Sequence, residues 1–172
     1  MELLIPGLIL VALMIWASTR IKRNAAAAFD AETVETADFV INKPDGFLHV
    51  LNDDSGLAFR AYSKEFGKVG NRDVRQATIE IELHQTVRLD AATKRIKSES
   101  ESIGSIEAYI DGGERAASVA SRRIGDGGEY ETLSKLVTRG QGVWECRYSV
   151  LSEHLPDHLS RMESVLGSLR VK

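Results

Sequence analysis

With one cysteine, three prolines and two tryptophans in 172 residues, this chain is poor in the residues that announce chemistry. A lone Cys146 can close no intrachain disulfide and builds no cysteine-rich metal cage. It has no CxxC partner or neighbouring histidine, and it shares a strand face with Trp144 and Tyr148. It therefore reads as a buried structural thiol rather than a nucleophile. No GxSxG elbow occurs among the many serines. The Asp-Gly-Gly stretches beginning at Asp111 and Asp126 lack both a Walker lysine and the alternating acidic ligands of a calcium loop. Both lie between predicted strands and read as hairpin turns. His154 and His158 stand four apart, a helical metal spacing, but Pro156 sets a helix start between them. They read as a surface pair.

Positive charge is also in deficit. Lys and Arg number 22 against 25 Asp and Glu. Setting aside Glu2, Arg20, Lys22 and Arg23 leaves 19 basic against 24 acidic residues, a net −5. Such a balance disfavours nucleic acid as a partner, which calls for a basic face, and disfavours a domain lying flat on anionic lipid. No low-complexity tract or solenoid repeat is present. The expectation is a protein with no catalytic residue, no cofactor and no metal site, and not an enzyme.

What the chain does have is one long apolar run, Leu3 to Ile21, closed by Lys22 and Arg23. From Leu3 to Ala17 there is no ionisable side chain. A helix of about 19 residues is roughly 28 Å long, enough to cross a hydrocarbon core if the basic flank snorkels. Leu3, Leu4, Ile5, Leu8, Ile9, Leu10, Val11, Leu13, Met14, Ile15 and Trp16 are the expected lipid-facing anchor. Arg20, Lys22 and Arg23 are the interface charges, with Trp16 near them where an indole prefers to sit. A cleavable signal peptide fits poorly: the N-terminal flank carries Glu2 and no base, and the small residues Ala25–Ala28 lie beyond the basic cluster. The positive-inside rule then puts the following domain in the cytoplasm of a single-pass protein of the cell (inner) membrane.

Residues 1–23 are thus expected to be the transmembrane anchor, 24–37 a helical linker rich in alanine, and 38–172 a soluble domain. In that domain strands are predicted at 39–42, 47–51 and 57–66, with turns at Lys43-Pro44-Asp45-Gly46 and Asn52–Gly56 between them. Residues 67–72 read as a loop. The clearest alternation is in 74–86, where Ala77, Ile79, Ile81 and Leu83 oppose Thr78, Glu80, Glu82 and His84, one face buried and one wet. Leu89, Ala92 and Ile96 predict a helix over 89–102. Strands follow at 106–110, 115–124, 129–138 and 143–150. Pro156 opens a closing helix with Leu159, Met162, Val165, Leu166 and Leu169 on one stripe. The class is α+β: an antiparallel sheet with helices packed on one face.

The segment Phe39-Val40-Ile41-Asn42-Lys43-Pro44-Asp45-Gly46-Phe47 resembles the opening strand, proline, glycine and aromatic of the PsbP/Mog1-like superfamily, which includes the bacterial DcrB-type domains. The stretch Met162 to Val171 is similar to that family's closing helix and tail, with Leu169 where the family usually carries an aromatic. The resemblance spans most of 38–172 in element order. It implies an accessory or assembly factor that binds other proteins of a membrane complex, without enzyme activity and with no shared catalytic residues. It also implies that many such domains lie outside the cytoplasm, against the charge rule. A ligand-binding sensory domain tethered to the membrane is the other reading the residues leave open.

Overall fold

The computed structural model describes residues 4–51, 53–125 and 128–172. Helix α1 runs Leu4–Ala27, β1 Glu32–Glu35, β2 Phe39–Lys43, β3 Phe47–His49, β4 Phe59–Ser63, β5 Phe66–Val69, β6 Arg72–Arg75 and β7 Ala77–Gln85. Then come α2 Leu89–Glu99, β8 Ser102–Asp111, β9 Glu114–Gly125, β10 Gly128–Arg139, β11 Gly142–Leu151, α3 Leu155–Ser168 and β12 Arg170–Val171. The class is α+β. A seven-stranded antiparallel sheet has the order β3-β4-β7-β11-β10-β9-β8, a three-stranded one the order β1-β2-β12, and β5 and β6 form a separate hairpin.

The helices occupy opposite faces of the large sheet, not one face as the sequence pattern suggested. Strand β11 shows why. Trp144, Cys146, Tyr148 and Val150 meet Met162, Val165 and Leu166 of α3 in the main core, which Val34, Phe39, Ile41 and Leu169 of the small sheet and its approach complete. Val143 points the other way, into a second core with Leu136, Ala117 and Val119, closed by Leu89, Ala92 and Ile96 of α2. Period-two alternation supplies each strand with two faces. The outward face of β11 carries enough apolar residue at one end to seat a second helix.

Other expectations need adjustment. The helix ends at Ala27 rather than continuing through 24–37, because Val34 is buried as β1 pairs with β2. The loop read at 67–72 is the β5–β6 hairpin, where Gly67 admits Leu151: a Cβ there would lie 2.4 Å from a Leu151 methyl. Strand β12 adds the C-terminal tail to β2. The Asp111 stretch is a turn between β8 and β9, with Gly112 and Gly113 at φ of 58° and 90°. Asp126 and Gly127 lie outside the described residues.

Helix α1 occupies the place of the expected anchor, and its 24 residues span about 36 Å. Leu3 lies outside the described residues, as do the side chains of Leu4, Ile5, Leu8, Ile9 and Leu10. Val11, Leu13, Met14, Ile15 and Trp16 are each more than half exposed. At 100° per residue these five point in all directions around the axis. Among the described residues no helix is long and apolar enough to cross a membrane.

Candidate functional site

The junction between α1 and the domain depends on Lys43, which the sequence offered only as a turn residue. At the end of β2 its side chain is buried, and burial pushes the ammonium below its ordinary pKa. The Nζ donates to the Phe47 carbonyl at 2.8 Å and to the carbonyl of Asp30. One residue away, Gly46 N–H donates to the Phe29 carbonyl at 2.8 Å. Gly46 itself holds φ at 80°, a value only glycine adopts freely. The segment leaving α1 is thereby fastened to the β2–β3 turn.

Three further places concentrate polar groups. Beneath α2 lies Glu145, 1% exposed. Arg147 donates to its Oε1 from Nε at 2.9 Å and Nη2 at 2.7 Å, and Arg95 of α2 donates to Oε2 at 2.7 Å. His84 Nε2 lies 2.9 Å from the same Oε2. Burial pushes the carboxyl up, but the His84 hydrogen bond and the charges of Arg147 and Arg95 outweigh it and bring the pKa from 4.5 to about 2. A carboxylate held this firmly is a poor general base. His84, predicted on the wet face of its strand, is buried, as is Glu145 beside it, with Arg95 of α2 reaching both.

Beside α3, where the helix leaves β8 and β9 uncovered, is a cleft of about 360 Å³ lined by Tyr109, Asp111, Ser118, Lys135, Glu163 and Arg170, among others. Its buried Lys135 is held by Asp111 at 2.5 Å and by the Leu169 carbonyl at 3.2 Å. Engaged in this way, Lys135 ties β10 to β8 and to the end of α3.

The third place is a cleft of about 350 Å³ at the end of the sheet, with Leu83 and Trp144 in its wall and Asp38, Gln85, Arg139, Gln141 and Lys172 around them. Thr86, also in this cleft, holds a φ of 58°, unusual for a β-branched residue. An apolar wall with convergent polar groups is what a small-molecule site requires. Arg139 is paired with Glu114 at 3.1 Å and Lys172 with Glu35 at 2.8 Å.

Of the histidines read as a surface pair, His158 is 2% exposed. Its Nδ1 lies 2.7 Å from the Tyr148 hydroxyl inside the main core, and burial lowers its pKa. Cys146 is buried as expected and burial pushes its thiol up to about 12. Among the described residues no cluster of His, Cys, Asp and Glu is arranged to hold a metal.

No family model and no curated protein sequence matches the chain. Solved structures do. The cyanobacterial PsbP (CyanoP) of Synechocystis sp. PCC 6803 aligns with a TM-score of 0.60 and 13% identity, over 84% of this chain and 94% of that one. LpqN, described as involved in cell envelope biogenesis of Mycobacterium tuberculosis, aligns with a TM-score of 0.61 and 12% identity, over 83% and 91%. The fold is PsbP/Mog1-like. At these identities the likeness is one of fold. The expectation drawn from Phe39–Phe47 and Met162–Val171 is met in three dimensions: those segments are β2 with its turn into β3, and α3 with β12.

Proposed function

We propose that this chain is a non-enzymatic accessory or assembly protein, tethered to a membrane by α1, whose PsbP-like domain binds other proteins of a membrane complex. The observation that carries it is α1. Val11, Leu13, Met14, Ile15 and Trp16 are exposed in all directions around the helix, and apolar side chains presented on every side favour apolar surroundings. The uncharged sequence from Leu3 to Ala17 extends that character toward the N-terminus. Lys43 and Gly46 fix the exit of the tether, so the domain is presented in a set orientation instead of on a loose linker. The charge cluster Arg20, Lys22 and Arg23 favours a cytoplasmic domain.

The test is extraction of native membranes in mild detergent, followed by affinity capture, with protease treatment of intact cells alongside. A stoichiometric protein partner and a domain shielded from external protease are expected. Recovery in the soluble fraction without carbonate or detergent would remove the tether, and capture without a partner would remove the accessory role.

The Trp144 cleft favours a second reading, a tethered ligand-binding domain. Replacing Trp16→Phe leaves Trp144 as the one tryptophan, since the chain has two. A saturable change in its emission with a small molecule would support this reading. Silence across a broad metabolite panel would count against it.

A further inference from the structure

The two ends of the seven-stranded sheet are unlike. Strand β3 is three residues long and follows Pro44, a short edge that resists pairing. Strand β8 is ten residues long, with one side paired to β9 and the other side open. Its register with β9 slips between Ile103 and Ser105, a bulge at Gly104. From Ser105 to Asp111 it runs straight, ending at the Gly112-Gly113 turn. That segment holds no Lys, Arg or Pro, and its only charges are Glu107 and Asp111 on the face away from the two isoleucines. Ile106 and Ile110 are 37% and 66% exposed. Their partners in β9 are Val119 and Arg115, with Ala108 opposite Ala117, so Ile106, Ala108 and Ile110 share the α2 face. Ser105, Glu107, Tyr109 and Asp111 share the other.

We propose that β8 pairs with β8 of a second copy, antiparallel about a two-fold axis at Ala108, joining two sheets into one of fourteen strands. The sequence of the straight segment is self-complementary about that point and about neither neighbour. With the axis at Ala108, Ile106 meets the second copy's Ile110 and Ile110 its Ile106, extending one apolar surface across the joint. Glu107 falls opposite Tyr109, and Asp111 opposite Ser105, so no acid faces an acid. An axis at Glu107 sets Glu107 against itself. An axis at Tyr109 sets Glu107 against Asp111. Like charges directly opposite in a ladder are destabilising. A two-fold perpendicular to the sheet keeps like faces together, which limits the register to steps of two residues and leaves the Ala108 axis as the one of these three without repulsion. This inference is independent of the tether: it rests on the edge alone.

The test uses the full chain in detergent or nanodiscs. Residues directly opposite in an antiparallel pair have Cα atoms about 4.5–5.5 Å apart, inside the range a disulfide spans. Ala108→Cys should form a chain-to-chain disulfide under mild oxidation, with the buried Cys146 unreactive. Ile106→Cys alone should not, but mixed with Ile110→Cys it should form the mixed dimer. Sedimentation should give twice the protein mass for the wild type. Ile106→Lys with Ile110→Lys should give a monomer of unchanged circular dichroism, and Ile106→Lys with Ile110→Glu should restore a dimer that weakens with salt. A wild-type monomer with no Ala108→Cys cross-link overturns the proposal. So does a dimer indifferent to the double lysine variant, or a different protein found on the edge in one-to-one ratio.

Discussion

The two faces of the large sheet are covered by different means. On the α3 face, Ile79, Ile81, Tyr148 and Val150 are fully buried among apolar neighbours, and each large side chain removed from water contributes roughly 1.5–3 kcal/mol. On the α2 face, three residues of an eleven-residue helix make the apolar contact. Beyond it the cover becomes ionic, with Arg95 reaching from α2 to Glu145. Apolar burial is indifferent to partner identity, whereas a buried carboxylate is tolerated only with its cations in place. The α3 face should therefore lose stability in proportion to volume removed, and the α2 face should fail when one charge is lost or titrated.

The largest expected effect is on the ionic face. Glu145→Ala strands Arg147, Arg95 and His84 around an empty position and should cost about 3–5 kcal/mol, measured by urea denaturation at pH 7. The contrasting substitution, Ile81→Ala, should cost about 3 kcal/mol and leave the pH dependence of stability unchanged. Acid should separate the faces next. The folded pKa of Glu145 is depressed from 4.5 to about 2, so its contribution is complete above the unfolded value and disappears as pH falls from about 5 toward 2. A shift of that size corresponds to roughly 3 kcal/mol. In Glu145→Gln that portion of the acid profile should flatten, while in Ile81→Ala it should persist. If wild type and Glu145→Gln lose stability in parallel over this window, the ionic face is not what acid attacks.

The sequence made one face legible and hid the other. The alternation Ala77, Ile79, Ile81, Leu83 is sufficient to place β7 and its buried side, and the Pro-Gly turn and closing stripe point to the PsbP-like order. Glu80, Glu82, His84, Glu145 and Arg147 look like a solvated face because charged residues usually are one. Two of them, His84 and Glu145, are buried where Arg95 reaches across from α2, a tertiary event without a local signature. Lys43 was hidden similarly: a lysine before Pro-Asp-Gly looks like an exposed turn until Asp30 and Phe47 present their carbonyls to it. His158 was misplaced because its partner, Tyr148, lies on a strand. The β5–β6 hairpin and two-residue β12 are too short to show a period, and they exist through what they pair with.

Within the α3 face Tyr148 and His158 form a polar interruption. Tyr148→Phe leaves His158 Nδ1 in the core without its 2.7 Å partner and should cost about 1–2 kcal/mol. A cost near zero would mean that His158 is satisfied elsewhere. The smallest effect concerns how the chain reaches the α2 face at all. Strand β7 ends at Gln85 and α2 begins at Leu89, and the turn between them passes through Thr86 at φ 58°. For a β-branched residue this conformation carries strain of order 1 kcal/mol, only partly offset by the 2.6 Å bond from its hydroxyl to the Gln85 carbonyl. Glycine adopts the same φ without a Cβ clash, so Thr86→Gly should raise stability by up to about 1 kcal/mol. It should leave the Glu145 acid transition in place, because α2 would still close over the same charges. Loss of stability in Thr86→Gly would show that the threonine hydroxyl, more than the backbone, sets the direction in which the chain crosses to the ionic face.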